Sequence, residues 1–406
     1  MRSANVRRSA SSRHARRLAF ATPATAIGAV LTLGGAAAPL TSHAAAALAG
    51  DVTARTTVSP PLGNPGASIP AGTFHSVSAD SPTDAWAAGS VANPNGNSTS
   101  TLTAHWNGKQ WTRVRSPSPA SGNGSLLTSV AAVSPADAWA VGFSTGNDFS
   151  TTVMFALHWN GTRWAQATLP NVGPPSTSLT SVSAVSANDV WAIGSYQANA
   201  DLVLHWDGKR WVHVVGPRPP GATAISAAST SDAWAVGCLS NGVKSFTDTQ
   251  HWNGTAWTRL PSPNPGQIQG SCLAAVANIS PHDAWAAGTS TLVSGRDQAL
   301  LLHWDGRRWA QVASPVPTAD ARMTGVSAVS KSDVWAVGFD FKGVNNELLF
   351  MHWNGSHWTL EPPVAGPQVT ALFGVSALSP TDAWAVGSDP TDSLIFHWNG
   401  TRWVQS

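Results

Sequence analysis

The amino-acid sequence predicts an all-β protein, and two interleaved motifs and their period carry that prediction. Ser-x-x-Asp-(Ala/Val)-Trp-Ala-x-Gly occurs seven times, and His-Trp-(Asn/Asp)-Gly-x-x-Trp follows each copy, so that seven units use all 21 Trp of the chain. Successive copies of the first motif lie 43 to 53 residues apart. That period, without helix signals, is typical of propeller blades. We therefore expect a seven-bladed β-propeller with four antiparallel strands per blade, after an N-terminal signal peptide.

One unit can be followed strand by strand in the second repeat. Leu127–Val133 alternates small apolar and hydroxyl side chains, and Ser-Pro-Ala-Asp then turns the chain into a second strand that ends near Phe143. A third strand, Thr152–Trp159, reaches the Asn-Gly dipeptide that favours a tight hairpin. A fourth strand begins at Trp164. Trp159 and Trp164 fall on one face of their hairpin, so we expect them to stack against the neighbouring blade.

Domain boundaries follow from the phase of the repeat. Residues 50–71 form a linker, with a possible strand that closes the ring, and 72–406 form the propeller. The expected blades are 72–117, 125–170, 177–216, 223–262, 270–315, 322–362 and 369–406.

Residues 1–49 predict export from the cell. Six Arg and an apolar stretch over 18–40 precede small residues, and cleavage after Ala44 or Ala49 fits the signal-peptidase pattern. The alternative, a retained membrane anchor, is disfavoured by Pro23 and Pro39 within the apolar stretch. We expect a secreted, extracellular monomer that is not stably inserted in a membrane after removal of the signal.

Charge excludes one class of partner. Only 11% of the 406 residues are charged, against about a quarter in ordinary soluble domains. The first 50 residues hold six of the 23 basic residues, which leaves 17 basic against 21 acidic residues and a net charge of −4. This balance predicts no basic patch that would collect phosphates, so we do not expect a nucleic acid partner.

The two motifs resemble the Asp-Val-Trp-Ala-Val-Gly and His-Trp-Asp-Gly-x-x-Trp repeats of secreted bacterial β-propellers, which are placed near kelch, galactose-oxidase-like and Asp-box propellers. The chemistry of those enzymes does not transfer. The copper oxidases need two Tyr, and Tyr196 is the only one here. Sialidases use a Tyr activated by Glu beside an Arg cluster, whereas this chain has only Glu347 and Glu361. We therefore expect no cofactor and assign no catalytic residue.

The motif Asp and His side chains are expected to be structural. Each Asp follows a tight turn, where its carboxylate is predicted to accept turn N–H bonds. Each His belongs to a different blade, so we expect hydrogen-bonded packing and no metal site. The motif Asp residues are Asp84, Asp137, Asp189, Asp232, Asp283, Asp333 and Asp382; the motif His residues are His105, His158, His205, His251, His303, His352 and His397.

The two cysteines are expected to form a disulfide. Cys238 follows a second strand and Cys272 begins the next first strand, and these positions emerge at the same end of neighbouring blades. Export to an oxidising compartment favours a bridge over free thiols.

The loops that join second to third strands vary from repeat to repeat, and with the blade connectors they form what we call the variable-loop face. Binding residues concentrate on such loops over a rigid scaffold. Aromatic rings beside carboxylates are typical of sugar sites, because ring faces stack on C–H groups. The candidate ligand-binding residues are Phe143, Asp148, Phe149, Tyr196, Asp201, Phe246, Asp248, Arg296, Asp297, Phe339, Asp340, Phe341, Asp389 and Asp392.

Three functions remain open on the sequence. The first is a non-catalytic binding propeller that engages a glycan or a cell-surface or secreted protein through the variable-loop face. The second is a glycoside hydrolase or lyase that uses a pair among Asp201, Asp248 and Asp297. The third is a structural scaffold for other secreted proteins.

Overall fold

The computed structural model describes residues 71–406 except 95, 97, 120–122, 148–150, 174–175, 197–199, 215–220, 268, 317–319, 343–344, 363–370 and 390–392. All described residues lie in one unit of the chain, Thr32–Ser406. The predicted signal peptide and nearly all of the linker lie outside them. Within the described part, no helix has the length and apolar character needed to cross a membrane.

The described chain forms 28 strands, four in each sequence repeat. Repeats 1 and 2 hold β1 (Thr73–Ser81), β2 (Asp84–Ala92), β3 (Thr99–Trp106), β4 (Trp111–Val114), β5 (Gly124–Ser134), β6 (Asp137–Thr145), β7 (Thr152–Trp159) and β8 (Trp164–Gln166). Repeats 3 and 4 hold β9 (Thr177–Ser186), β10 (Asp189–Tyr196), β11 (Ala200–Trp206), β12 (Trp211–His213), β13 (Ala222–Ser229), β14 (Asp232–Ser240), β15 (Ser245–Trp252) and β16 (Trp257–Leu260). Repeats 5 to 7 hold β17 (Ser271–Ser280), β18 (Asp283–Thr291), β19 (Asp297–Trp304), β20 (Trp309–Val312), β21 (Ala321–Ser330), β22 (Asp333–Lys342), β23 (Asn345–Trp353), β24 (Trp358–Leu360), β25 (Ala371–Ser379), β26 (Asp382–Ser388), β27 (Ser393–Trp398) and β28 (Trp403–Gln405).

The architecture is an all-β propeller with four-stranded antiparallel blades, but the prediction of seven separate blades is wrong. Strands β9 to β28 form five four-stranded sheets, whereas β1 to β8 form one eight-stranded sheet. The two halves of that sheet join where β3 pairs in parallel with β5 through Thr99 and Gly124. The physical reason is the early start of β5: Gly124 has a φ of 132°, a left-handed value open to glycine, which brings it beside Thr99.

A bulge in each first strand explains the invariant Gly of the first motif. In repeat 6 the pairing of β21 with β22 shifts register between Met323 and Gly325, opposite Gly338. A Cβ added at Gly338 would lie 2.0 Å from the carbonyl oxygen of Arg322. No side chain fits at that distance, so the motif requires glycine there.

Serine side chains link the first strands of neighbouring repeats. The Oγ of Ser78 accepts a hydrogen bond from the backbone N–H of Ala132 at 3.0 Å. The same position in repeat 7, Ser376, accepts one from the N–H of Ala79 in repeat 1 at 3.1 Å. The last repeat therefore contacts the first directly. The proposed closing strand within 50–71 lies outside the described residues, apart from Ala71.

The tryptophans pack between repeats, which confirms the predicted stacking. The ring of Trp86 lies 4.8 Å from that of Trp159 and 4.9 Å from that of Trp164 in the next repeat. Trp384 of repeat 7 makes the same contacts with Trp106 and Trp111 of repeat 1. Burial of a large side chain contributes about 1.5–3 kcal/mol, so these interfaces form much of the core.

Candidate functional site

The motif Asp and His residues pair with each other. In all seven repeats the His Nε2 donates a hydrogen bond to the Asp Oδ1 of the same repeat, at 2.5–2.9 Å. The His rings lie 4.2–4.7 Å from the motif Trp, centroid to centroid. The prediction that Asp accepts the turn N–H groups is corrected: a serine takes that role, as where Ser134 Oγ accepts from the N–H of Ala136.

These pairs are structural, since each carboxylate orients a ring that covers a buried Trp. No group of three His, Cys, Asp or Glu side chains that would hold a metal ion occurs in the part of the chain that the structure describes.

A disulfide joins Cys238 and Cys272, whose Cα atoms lie 4.8 Å apart. It connects β14 of repeat 4 to β17 of repeat 5. Because Cys238 lies near the end of β14, the bridge fixes the two repeats close to the variable-loop face.

Several candidate ligand-binding residues are packed inside the sheets. Phe143, Tyr196 and Phe339 are buried, as is Asp340. The rings of Phe143, Tyr196 and Phe339 therefore cannot present a face to a sugar, in contrast to the prediction that was based on their position near strand ends. Asp389 follows β26 and is half-buried. Three further candidates, Asp148, Phe149 and Asp392, lie outside the described residues, as does the side chain of Asp201 in β11.

Asp248 is a buried member of an ion pair. Its Oδ1 lies 2.7 Å from Nε of Arg259 on the adjacent strand β16, and its Oδ2 accepts a hydrogen bond from Nε2 of Gln250 at 2.8 Å. Repeat 1 has Leu102 at the equivalent position. A buried charge needs such partners, so the expectation of a loop residue open to ligand is wrong.

The variable-loop face does bring charged candidates together between repeats 5 and 6. Arg322 Nε lies 2.6 Å from Asp297 Oδ2, and Arg296 Nε lies 3.7 Å from Asp320 Oδ2. The backbone N–H of Asp297 also donates to Oδ1 of Asp320 at 3.3 Å. We call these four residues the charged junction.

Phe341 lies beside the charged junction and is 40% exposed. The Arg322 guanidinium lies 5.2 Å from the centroid of its ring, and Phe339 packs edge-on against it at 5.0 Å. In repeat 4 the ammonium of Lys244 lies 5.2 Å from the half-buried ring of Phe246. Each ring thus carries a cation, an arrangement that is favourable where solvent is partly excluded.

Sequence reasoning missed Asp320 and Arg322, which lie in and just after a blade connector. Asp320 has a φ of 106°, whereas the equivalent residues in repeats 2 and 5 are Gly124 and Gly270. A non-glycine residue in this region is strained, and such residues concentrate at functional sites. The available signal was an Asp at a connector position where repeats 2 and 5 have Gly and repeat 3 has Ser176, whose φ is 109°.

Sequence reasoning also missed the exposed apolar loop ends. Val243 is 83% exposed between β14 and β15, and Val293 is 67% exposed between β18 and β19. With Phe341 at the end of β22, three adjacent repeats present an apolar side chain at the same end of the propeller. We call Val243, Val293 and Phe341 the apolar tips.

Of the three acids proposed for a catalytic pair, the two whose side chains the structure describes, Asp248 and Asp297, do not form one. Asp248 is paired with Arg259 inside repeat 4, whereas Asp297 is paired with Arg322 at the junction of repeats 5 and 6. The two acids thus belong to different ion pairs in different repeats. The expectation of a hydrolase or lyase finds no support among the described side chains.

Comparison with known proteins shows the fold and no family. No family model matches the chain, and no curated protein matches it. A polysaccharide lyase of family PL25, an ulvan lyase bound to -[GlcA(1-4)Rha3S]-, is similar with a TM-score of 0.57 and 9% identity, covering 83% of this chain and 96% of that one. YCF48 from Cyanidioschyzon merolae is similar with a TM-score of 0.51 and 14% identity, covering 82% of this chain and 97% of that one. At these identities the likeness extends to the fold alone.

Proposed function

We propose that this protein is a secreted, non-catalytic binding propeller that engages an extracellular protein through the variable-loop face of repeats 4 to 6. The observation that carries the proposal is the set of apolar tips, Val243, Val293 and Phe341, which are 83%, 67% and 40% exposed on adjacent repeats. Exposed apolar side chains that loops present at one end of a rigid scaffold are typical of interaction surfaces.

The surroundings of the tips support a protein partner. A protein interface combines an apolar centre with a polar, charged rim. Here the charged junction and Lys244 supply both signs of charge beside the tips. The disulfide between Cys238 and Cys272 holds repeats 4 and 5 together, so a partner would meet a preorganised surface and lose less entropy on binding.

A glycan is the second candidate, favoured by the partly exposed rings of Phe246 and Phe341. It is weaker than the sequence implied, because the rings of Phe143, Tyr196 and Phe339 are buried. Only two described aromatic candidates therefore remain to stack on a sugar. Secretion rests on the predicted signal peptide, residues 1–49, and is part of the proposal.

The test compares two double variants of the mature protein, residues 50–406, immobilised and exposed to secreted and envelope fractions. Val243→Asp with Val293→Asp places charges on the apolar tips. Val212→Asp with Leu360→Asp changes side chains that are 36% and 41% exposed on outer strands. We expect the first pair to abolish capture of the protein that the wild type retains, and the second pair to leave capture intact. Equal capture by all three proteins would refute the proposal, and a glycan array run in parallel tests the second candidate.

A further inference from the structure

A groove of about 1200 Å³ lies at the outer edge of the propeller between repeats 1 and 2. Arg113 of β4 and Arg115 just beyond it line one side, and Arg163, next to β8, lines the other. All three side chains are exposed, and none of the described residues that line the groove is acidic. The groove belongs to repeats 1 and 2, whereas the apolar tips and the charged junction belong to repeats 4 to 6.

The arginines of the groove lack the acidic partners that equivalent residues have elsewhere. Arg210 and Arg308 occupy the turn position of Arg163, and each lies within 4.0 Å of an Asp three residues earlier. Repeat 2 has Asn160 at the position of that Asp. Among the described residues, Arg163 therefore has no carboxylate partner.

Arg113 also lacks the acidic partner that its counterpart in another repeat has. Its counterpart in repeat 4, Arg259, pairs with the buried Asp248, whereas repeat 1 has Leu102 in place of that Asp. Because Leu102 and Asn160 are neutral, Arg113 on one side of the groove and Arg163 on the other have no carboxylate among the described residues to balance their charge. The body of the protein carries a net charge of −4, so this groove is a local exception to the overall charge.

Hydrogen bonds hold the connector that follows β4 in place. Thr101 Oγ1 lies 2.8 Å from Ser116 Oγ and 3.0 Å from Ser118 Oγ, and the backbone N–H of Thr101 donates to Ser118 Oγ at 3.0 Å. Arg115 therefore extends from an anchored segment. A guanidinium binds oxyanions well, because its N–H groups match two oxygens of a sulfate or carboxylate.

We propose that this groove binds an acidic polysaccharide through its sulfate or carboxylate groups. The composition argued against any basic patch, but Arg113 and Arg115 of repeat 1 and Arg163 of repeat 2 line the same groove. Among the described lining residues the one aromatic side chain, Trp164, is buried, so the groove lacks the stacking surface that single-stranded nucleic acids use, whereas an acidic polysaccharide can bind through its charged groups. Hydroxyl groups of the anchored connector remain beside the arginines for sugar hydroxyls.

The test measures binding of heparin, polygalacturonate and neutral dextran to the mature protein at several salt concentrations. The variant pair Arg115→Gln and Arg163→Gln removes two unpaired charges of the groove. The control pair Arg210→Gln and Arg308→Gln removes the same net charge from two paired positions. We expect heparin or polygalacturonate, but not dextran, to bind the wild type. The groove pair is expected to weaken binding at least about tenfold and to reduce the salt dependence, whereas the control pair changes little.

Equal weakening by both pairs, or no binding of either acidic polymer, would overturn the proposal. Single-stranded DNA that binds as tightly as the polysaccharides would overturn the choice of a glycan. The Val243→Asp and Val293→Asp variant is expected to bind the polysaccharide normally, so failure here and failure of the loop-face proposal remain distinguishable.

Discussion

Asp80 makes the stability of the propeller depend on pH. Repeats 2, 3 and 6 have Val133, Val185 and Val329 at its position. Burial, and then the hydrogen bond and negative charge of Asp84, raise the pKa of Asp80 to about 8. Asp84 is itself buried and accepts the hydrogen bond of His105. The native protein therefore holds a proton on this pair of carboxyl groups at neutral pH.

The sign and size of the effect follow by linkage. A carboxyl group whose pKa is raised on folding contributes stability that is complete below its unfolded pKa, near 3.8, and is lost as pH rises toward 8. About four pKa units at about 1.4 kcal/mol each give an upper bound of ~6 kcal/mol. Because the side chain is partly exposed and solvent screens it, we expect about 2 kcal/mol.

The test is Asp80→Val, which installs the residue of the other repeats, with Asp80→Asn as the isosteric control. Thermal unfolding followed by Trp fluorescence at pH 4, 6 and 8 gives Tm for each protein. We expect both variants to gain about 2–4 °C over the wild type at pH 8 and much less at pH 4. The reasoning would be refuted by a Tm difference that is the same at all three pH values.

Three further changes test the packing. Burial lowers the pKa of His75 to about 4. The neutral ring therefore contributes to the stability of the native protein fully above pH 6.5, and this contribution is lost as the pH falls from 6.5 to 4. We expect His75→Thr to raise Tm at pH 4.5 and to leave it unchanged at pH 7. Gly338→Ala places a Cβ 2.0 Å from a carbonyl oxygen and is expected to prevent folding, as judged by circular dichroism, whereas Gly295→Ala, with open space around it, costs about 1 kcal/mol. Cys238→Ser with Cys272→Ser removes the disulfide that joins residues 34 positions apart. We expect the free energy of unfolding, measured in urea, to fall by about 2–4 kcal/mol.

Each of these expectations has a distinct contradicting result. An unchanged acid transition in the His75 variant would mean that this ring is protonated in the native state. A folded Gly338→Ala protein with wild-type Tm would mean that the bulge of β21 relaxes without cost. A double serine variant as stable as the wild type would mean that the bridge constrains neither repeat.

The strands and the tryptophan interfaces followed from the sequence because their determinants are local. Asn160-Gly161 fixes a hairpin, and the parity of Trp159 and Trp164 follows from the length of its loop. The hydrogen-bond partners of the motif Asp residues could not be predicted from the sequence. Asp84 meets His105 across an antiparallel register in which Trp86 lies opposite that histidine, and turn chemistry alone does not specify this contact.

The binding surface was harder to predict because burial and contacts between repeats decide it. Tyr196 lies at the end of a strand, yet it packs against the hydrophobic core of repeats 2 and 3. Arg322 begins a first strand, yet it reaches Asp297 of the preceding repeat. The union of repeats 1 and 2 in one sheet likewise rests on one parallel bridge between Thr99 and Gly124. Repeats 4 and 5 form the equivalent bridge between Ser245 and Gly270 and yet stay separate sheets, so the repeat pattern does not distinguish the two cases.

The central claim is that the apolar tips bind a protein partner, and site-specific photo-crosslinking tests it most directly. A photoreactive side chain is placed at Val243 or Val293 and, as controls, at Val212 or Val404, which are 36% and 38% exposed on outer strands. After exposure to the secreted and envelope fractions, we predict that one and the same protein is crosslinked from both tip positions and from neither control. Crosslinks that are absent at the tips, or equally strong at the controls, would contradict the claim.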